Sequence, residues 1–178
     1  MLVDGVTGSG KTEVYLQAIE RTLAEGRRAI VLVPEISLTP QTVARFRGRF
    51  GDAVAVMHSR MSDGERYDQW DFIKSGAAKV VVGARSALFT PAANVGLIVI
   101  DEEHEGSYKQ DSSPRYHARD VAKFRCAQHN ALLLLGSATP DVVSRYYAET
   151  GRYHYFTLPD RFNARKLPDV IIADMKQE

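Results

Sequence analysis

Eight residues near the amino terminus, Gly5, Val6, Thr7, Gly8, Ser9, Gly10, Lys11 and Thr12, carry the spacing of a phosphate-binding loop. The glycines let successive backbone N–H groups curl around an anion, and a helix beginning at Lys11 adds the positive end of its dipole. Lys11 then reaches the outer phosphates, and the Thr12 hydroxyl offers a ligand to Mg²⁺. A second group lies far along the chain, where the apolar run Leu97–Ile100 meets Asp101, Glu102, Glu103 and His104. A buried strand ending there delivers its carboxylates to the sheet edge from which a phosphate loop springs. Asp101 can meet the magnesium, and Glu102 can orient or deprotonate the water that attacks a γ-phosphate, which points to hydrolysis rather than transfer to an organic acceptor. The acidic box alone is common as a strand closing in a solvated turn, whereas composition rarely produces the loop string and a merely glycine-rich turn is its weaker reading. Together in one chain they specify a site for ATP and Mg²⁺.

Other loops carry weaker signals. Gly136-Ser137-Ala138-Thr139-Pro140 follows the run Ala131–Leu135 and reads two ways, as hydroxyls at a strand's carboxyl end or as a helix start with Thr139 before Pro140 at the first helical position. The segments Pro34–Gln41 and Gly83–Phe89 supply further loops on the same edge, where Arg85 and backbone N–H groups can hold phosphates of a nucleic-acid strand or simply connect elements. The five histidines show no metal-ligand spacing, and His58, His117, His129 and His154 read as structural or surface residues. The single cysteine, Cys126, reads as a core thiol; it permits no internal disulfide or Cys-rich zinc site and favours a reducing compartment.

The elements that must position these residues alternate. Ala29–Val33, Ala53–Met57, Lys79–Val82, Leu97–Ile100 and Ala131–Leu135 are apolar almost throughout, as strands covered on both faces should be. Lys11–Glu25 places Tyr15, Ile19 and Leu23 on one stripe with Gly26 as its stop, and Thr42–Phe50 aligns Val43, Phe46 and Phe50. Ser62 and Glu65 form a capping box ahead of Tyr67, Trp70 and Ile73, a stripe expected in the core, and His117–His129 reads as a further helix. The pattern predicts an α/β fold, a three-layer P-loop NTPase with a mainly parallel central sheet. With 178 residues the chain is about one domain, and 23 Lys+Arg against 22 Asp+Glu leave no global field for a polyanion. No apolar run approaches the roughly 18 residues a membrane span needs, and no signal peptide precedes the first glycines. Pro159 and Pro168 bracket a basic stretch before Val170–Ala173, so residues 1–158 read as the domain and 159–178 as a linker. The very short first strand suggests a piece of a longer protein.

The phosphate loop, the Asp-Glu-Glu-His box and the Ser-Ala-Thr segment resemble motifs I, II and III of a superfamily 2 helicase, whose lobes are RecA-like. The strings Gly-Val-Thr-Gly-Ser-Gly-Lys-Thr-Glu-Val-Tyr at 5–15, Val-Pro-Glu-Ile-Ser-Leu-Thr-Pro-Gln at 33–41, Arg-Ser-Ala-Leu-Phe at 85–89, Ser-Tyr-Lys-Gln at 107–110 and Arg-Tyr-His-Ala-Arg-Asp at 115–120 narrow the resemblance to the PriA family of primosomal replication-restart helicases. That resemblance implies a DNA-dependent ATPase moving 3′ to 5′, acting on forks and single strands alongside primosome and single-strand-binding proteins in the bacterial cytoplasm, at the nucleoid. It implies nucleotide and Mg²⁺ roles for Lys11, Thr12, Asp101 and Glu102, and coupling or DNA-binding roles for Arg85, His104, Tyr108, Tyr116, Ser137 and Thr139. Residues 105–117 look like the family's aromatic-rich loop, without the tryptophan some relatives carry. Residues 159–178 resemble the run into a second helicase lobe, and without that lobe's arginine fingers the isolated chain is expected to hydrolyse ATP feebly and unwind nothing. Two other readings compete: a different motor of the same superfamily, and a binding module in which ATP only switches affinity.

Overall fold

The computed structural model describes residues 1–161, so of the expected linker 159–178 all but the first three residues lie outside the described residues. The chain runs β1 (Leu2–Gly5), α1 (Lys11–Ala24), β2 (Arg28–Leu32), α2 (Pro40–Phe50), β3 (Val54–Met57), α3 (Asp63–Ser75), β4 (Val80–Gly83) and β5 (Val95–Ile100). It continues through the two-residue strands β6 (Lys109–Gln110) and β7 (Tyr116–His117), then α4 (Ala118–His129), β8 (Leu132–Ser137), α5 (Val142–Glu149) and β9 (Tyr155–Leu158). Seven strands form one sheet in the order β3-β4-β2-β5-β8-β1-β9, every pair parallel.

Parallel neighbours require crossovers, and here the crossovers are the helices, so both faces of the sheet are covered. Alternation along β5 shows the consequence. Leu97 and Val99 face a cluster closed by Tyr15, Leu16 and Ile19 of α1 and Phe46 of α2, while Ile98 and Ile100 face Ile73 of α3 and Ala118, Ala122 and Cys126 of α4. Burial pushes the Cys126 thiol up to about 11, so it stays protonated as a small apolar filler. Polar edges are closed locally. The open side of β3 is blunted by Gln69, whose Oε1 accepts from the Val56 amide at 2.9 Å.

The anticipated strands all form, shifted by a residue or two. Differences arise where apolar periodicity was weak or ambiguous. In α3 the capping box of Ser62 and Glu65 is present, but the helix packs through Gln69, Phe72 and Ile73. Tyr67 and Trp70 point outward at 69% and 41% exposure, so the stripe was rotated by about one residue. The last helix starts at Val142 with Asp141 as its cap, its side chain accepting from the Val143 amide, and not at Thr139. The strand β9 and the small β6–β7 hairpin were not foreseen, because Tyr155–Leu158 presents a half-exposed face and no apolar run.

Two glycines bracket what the packing tolerates. A methyl at Gly83 would lie 2.4 Å from the Met57 carbonyl oxygen and 2.8 Å from the Ala87 side chain, whereas one at Gly48, on exposed α2, meets nothing within 4 Å. Gly83→Ala is expected to destabilise by about 1–3 kcal/mol and Gly48→Ala to stabilise by about 0.5–1 kcal/mol, read as opposite shifts of the thermal unfolding midpoint.

Candidate functional site

In the turn between β1 and α1 the Val6 and Ser9 amides bond to the Leu158 and Val6 carbonyls, which leaves the amides of Thr7, Gly8 and Gly10 to face an anion. Gly8 and Gly10 hold φ of 82° and 94°, a region glycine enters without steric cost, and Gly10 caps the helix from that conformation. A side chain at Gly5 would begin 2.6 Å from the Ser9 hydroxyl, so the turn closes only around glycine there. Lys11 is 8% exposed and donates from Nζ to the Gly5 carbonyl at 2.6 Å, folding back across the loop it follows. Ser9 Oγ is buried with no hydrogen-bond partner, and in the first turn of α1 the Glu13 and Val14 amides close on the Gly10 carbonyl while those of Lys11 and Thr12 precede the first helical bonds. An orphaned hydroxyl, a ring of amides and a buried lysine fit a polyphosphate.

Across the sheet, β5 releases Asp101 at the same carboxyl edge. Its carboxylate Oδ1 accepts from the Tyr15 hydroxyl at 2.9 Å, and its carbonyl accepts from the Tyr108 hydroxyl at 2.7 Å. Burial raises the Asp101 carboxyl above the ordinary carboxylate range, while the Tyr15 hydrogen bond works against that rise. Burial and the neighbouring carboxylates push both tyrosine hydroxyls far upward, so they remain donors. Glu102 sits at φ 46°, a left-handed backbone that costs a non-glycine residue energy and that the surrounding turn must enforce. That turn points Oε1 to within 3.8 Å of Lys11 Nζ and Oε2 to within 3.6 Å of His104 Nδ1. His104 Nδ1 shares a hydrogen bond with Ser137 Oγ at 2.7 Å, and Ser137 Oγ accepts from the Thr139 amide at 2.9 Å.

One cavity of about 790 Å³ is walled by Val6, Thr7, Gly8, Gly10, Lys11 and Thr12 together with Asp101 and Glu102. The loop and acid pair singled out in the sequence are thus brought together, and beside Glu102 the residues His104, Ser137 and Thr139 form a hydrogen-bonded run that begins at His104 Nδ1. Among the described residues no cluster of three His, Cys, Asp or Glu groups is available for a metal. Mg²⁺ needs none, since it keeps waters and takes one or two protein oxygens plus phosphates, which Thr12 and Asp101 can provide.

Arg85, Tyr108 and Tyr116 fall elsewhere, around a second cavity of about 310 Å³ shared with Glu35, Ser59 and Gln110. The Arg85 guanidinium is held by the Ser107 and Lys109 carbonyls and by Gln110 Oε1, and it lies over the Tyr116 ring at 5.4 Å. Phe89 meets the same ring edge-on at 5.3 Å. Tyr108 is buried, so it borders both the acid turn and this second cavity without offering a free ring face.

Several functional neighbours escaped the sequence reading. Tyr15 was read only as an apolar stripe, yet it stands four residues after Lys11, one turn along the same face, which is the spacing that could have revealed it. Glu103 is 1% exposed and accepts from Arg119 at 3.0 Å, from Ser144 Oγ at 2.9 Å and from the Asp141 amide at 2.8 Å. With its own amide bonded to the Gly136 carbonyl at 3.0 Å, Glu103 pins the strained turn to α4, α5 and β8. No local signal distinguishes it from the two solvated-looking acids before it.

Comparison with known proteins agrees with this arrangement. The family profile described as DEAD/DEAH box helicase matches residues 1–146. The chain is similar to replication restart protein PriA of Bacillus subtilis (57% identity over 99% of the chain), of Synechocystis sp. (51% over all of it) and of Haemophilus influenzae (48% over 99%). It spans under a quarter of each relative's length, 22%, 22% and 24%. Among solved structures it resembles RecG bound to a three-way DNA junction (TM-score 0.63, 25% identity, 89% of this chain, 20% of that one). The Pyrococcus furiosus Hef helicase domain superposes with a TM-score of 0.62 at 22% identity, over 89% of this chain and 35% of that one. The fold is the RecA-like lobe of superfamily 2 helicases.

The buried pair behind the acid turn has a measurable role. Arg119→Ala leaves the Glu103 carboxylate buried without its cation and is expected to cost about 3–5 kcal/mol. Urea denaturation followed by circular dichroism reads the loss, and a midpoint equal to that of the parent chain would show that Glu103 does not depend on Arg119.

Proposed function

Because the chain belongs to the DEAD/DEAH box helicase family, we propose that it is the ATP-binding lobe of an ATP-dependent 3′ to 5′ DNA helicase acting in replication restart. The observation that carries this reading is the single cavity walled by both the phosphate loop and the acid pair, two segments far apart in sequence. High identity to PriA proteins across the chain supports the restart role. Residues 1–158 are the lobe, and the stretch from 159 leads toward a second lobe. DNA, at forks and as single strands, is the polymeric substrate, with primosome and single-strand-binding proteins as partners in the bacterial cytoplasm.

Lys11 leaves the Gly5 carbonyl for the outer phosphates, and the loop amides with Ser9 Oγ take the remaining oxygens. Thr12 and Asp101 would hold Mg²⁺, which when bound would neutralise charge on the phosphates. Departure of Lys11 frees Glu102 Oε1 to orient the attacking water and accept its proton. His104 stands beside Glu102 Oε2, and its hydrogen bond to Ser137 links the acid turn to the 137–139 segment. Tyr108 connects the same turn to the loop that Arg85 and Tyr116 bound, a route by which DNA on that edge can alter the acids. Arg85 acts by holding this loop, with Tyr116 and the neighbouring backbone meeting DNA.

In the full-length protein Lys11→Ala is expected to abolish nucleotide binding in a fluorescent-nucleotide titration. Glu102→Gln is expected to retain binding while single-turnover hydrolysis falls about 10²-fold or more. Binding by the parent protein without any turnover would make it a nucleotide-gated switch instead. Affinity for single-stranded DNA is expected to fall linearly with salt on logarithmic axes and to vary little with base sequence, because the contacts are to the backbone. The chain alone is expected to turn over about 10³-fold or more slowly than the full-length protein, since arginine fingers come from outside it.

A further inference from the structure

The cavity that holds Lys11 and the acid pair has a wall that neither the phosphate loop nor the acid box supplies. That wall is Arg45 of α2, beside Thr12 and Glu13. Its position follows from how α1 and α2 pack. Both helices follow parallel strands and lie on the same face of the sheet, so they run side by side with their amino termini at the carboxyl edge. Arg49 of α2 fixes their relative level, because it pairs with Glu20 at 2.6 Å and lies 3.7 Å from Glu13 of α1. Arg45 sits four residues before Arg49 on the same stripe, about 6 Å nearer the edge, which brings it level with the start of α1.

Charge separates the two arginines. Arg49 is occupied by two carboxylates, and Glu13 is further engaged by Gln17 Nε2 at 3.1 Å. Arg45 makes no hydrogen bond or ion pair among the described residues and faces the cavity from an exposed position. A guanidinium there has no protein acceptor, and the fork of donors suits phosphate oxygens.

We propose that Arg45 is a further nucleotide-binding residue, a cation from α2 that contacts the α- and β-phosphates of the bound nucleotide. The inner phosphates are chosen by geometry. Loop amides and the first turn of the following helix cradle the α/β end, whereas Lys11 reaches toward the β/γ end and the acids. Arg45 stands against Thr12 and Glu13, on the helix side. It therefore strengthens binding of diphosphate and triphosphate alike and takes no part in the proton transfer at Glu102.

This inference rests on the nucleotide site proposed above, and its test keeps the two apart. In the full-length protein, fluorescent ADP and ATP analogues are titrated against Arg45→Ala, Arg45→Gln and Arg47→Ala, the last altering a neighbouring arginine that faces the groove between α2 and α3. Arg45→Ala and Arg45→Gln are expected to weaken both nucleotides by about 10-fold, with the loss in turnover appearing in KM rather than kcat. Arg47→Ala is expected to keep the parent affinity. Unchanged ADP affinity in both Arg45 variants, with melting temperatures equal to the parent's, overturns the proposal, as does a loss confined to kcat. If Lys11→Ala also binds normally, it is the site itself that is misplaced; if Lys11→Ala abolishes binding and the Arg45 variants do not weaken it, only the role of Arg45 fails.

Discussion

The hydroxyl of Tyr15 on the carboxylate of Asp101 joins the helix that begins with Lys11 and Thr12 to the strand that ends in the acids. Without a tie of this kind, a lysine on one element and a carboxylate on another are held in register only by the sheet beneath them. The tie is reinforced from the next strand, because Gly136 of β8 leaves no room for a side chain: a methyl there would sit 1.7 Å from the Tyr15 oxygen. A glycine on β8, a tyrosine on α1 and an aspartate after β5 therefore form one packed unit. Its cost is a carboxylate buried enough to resist ionisation, offset by the tyrosine donor and by the lysine nearby.

Around that unit the acid turn behaves as a strained piece held from both sides. Glu102 takes a left-handed backbone, and the residues flanking it are tied to different neighbours. The Asp101 amide bonds to the Leu32 carbonyl at 2.9 Å, and Glu103 is bound to Arg119, Ser144 and the Asp141 amide. Strain at such a position persists only where the surroundings over-determine it. A buried charged group is expensive to maintain, and here Arg119 Nε is left without a hydrogen-bond partner, so the Glu103–Arg119 pair is better explained by the geometry it imposes on Glu102 than by the stability it adds.

Much of this was legible in the sequence, and the boundary is instructive. The loop from Gly5 to Thr12 and the acid pair Asp101 and Glu102 were readable because their chemistry requires fixed residue types at fixed local spacing. The five buried strands were readable because a strand covered on both faces cannot afford polar residues. Glu103 and Arg119 were not, because each acts through a partner more than ten residues away and looks ordinary in its own window, and Tyr15 was passed over because its spacing from Lys11 also fits an apolar stripe. Tyr67 and Trp70 misled for the opposite reason: aromatic residues at helical spacing suggest a core, but α3 is rich in charged residues, and it buries the adjacent stripe. The strand β9 hid because an edge strand with one solvated face needs no apolar run.

That edge strand changes how the phosphate loop is anchored. Residues Tyr155–Leu158 lie parallel to β1, with Leu158 opposite Gly5 and its carbonyl accepting from the Val6 amide at 3.4 Å. The last described strand thus ends beside the first glycine of the loop. Mechanical tension applied to the chain after Leu158 is borne in shear along β9 and β1, and it arrives at Gly5 and Val6 before any other part of the sheet.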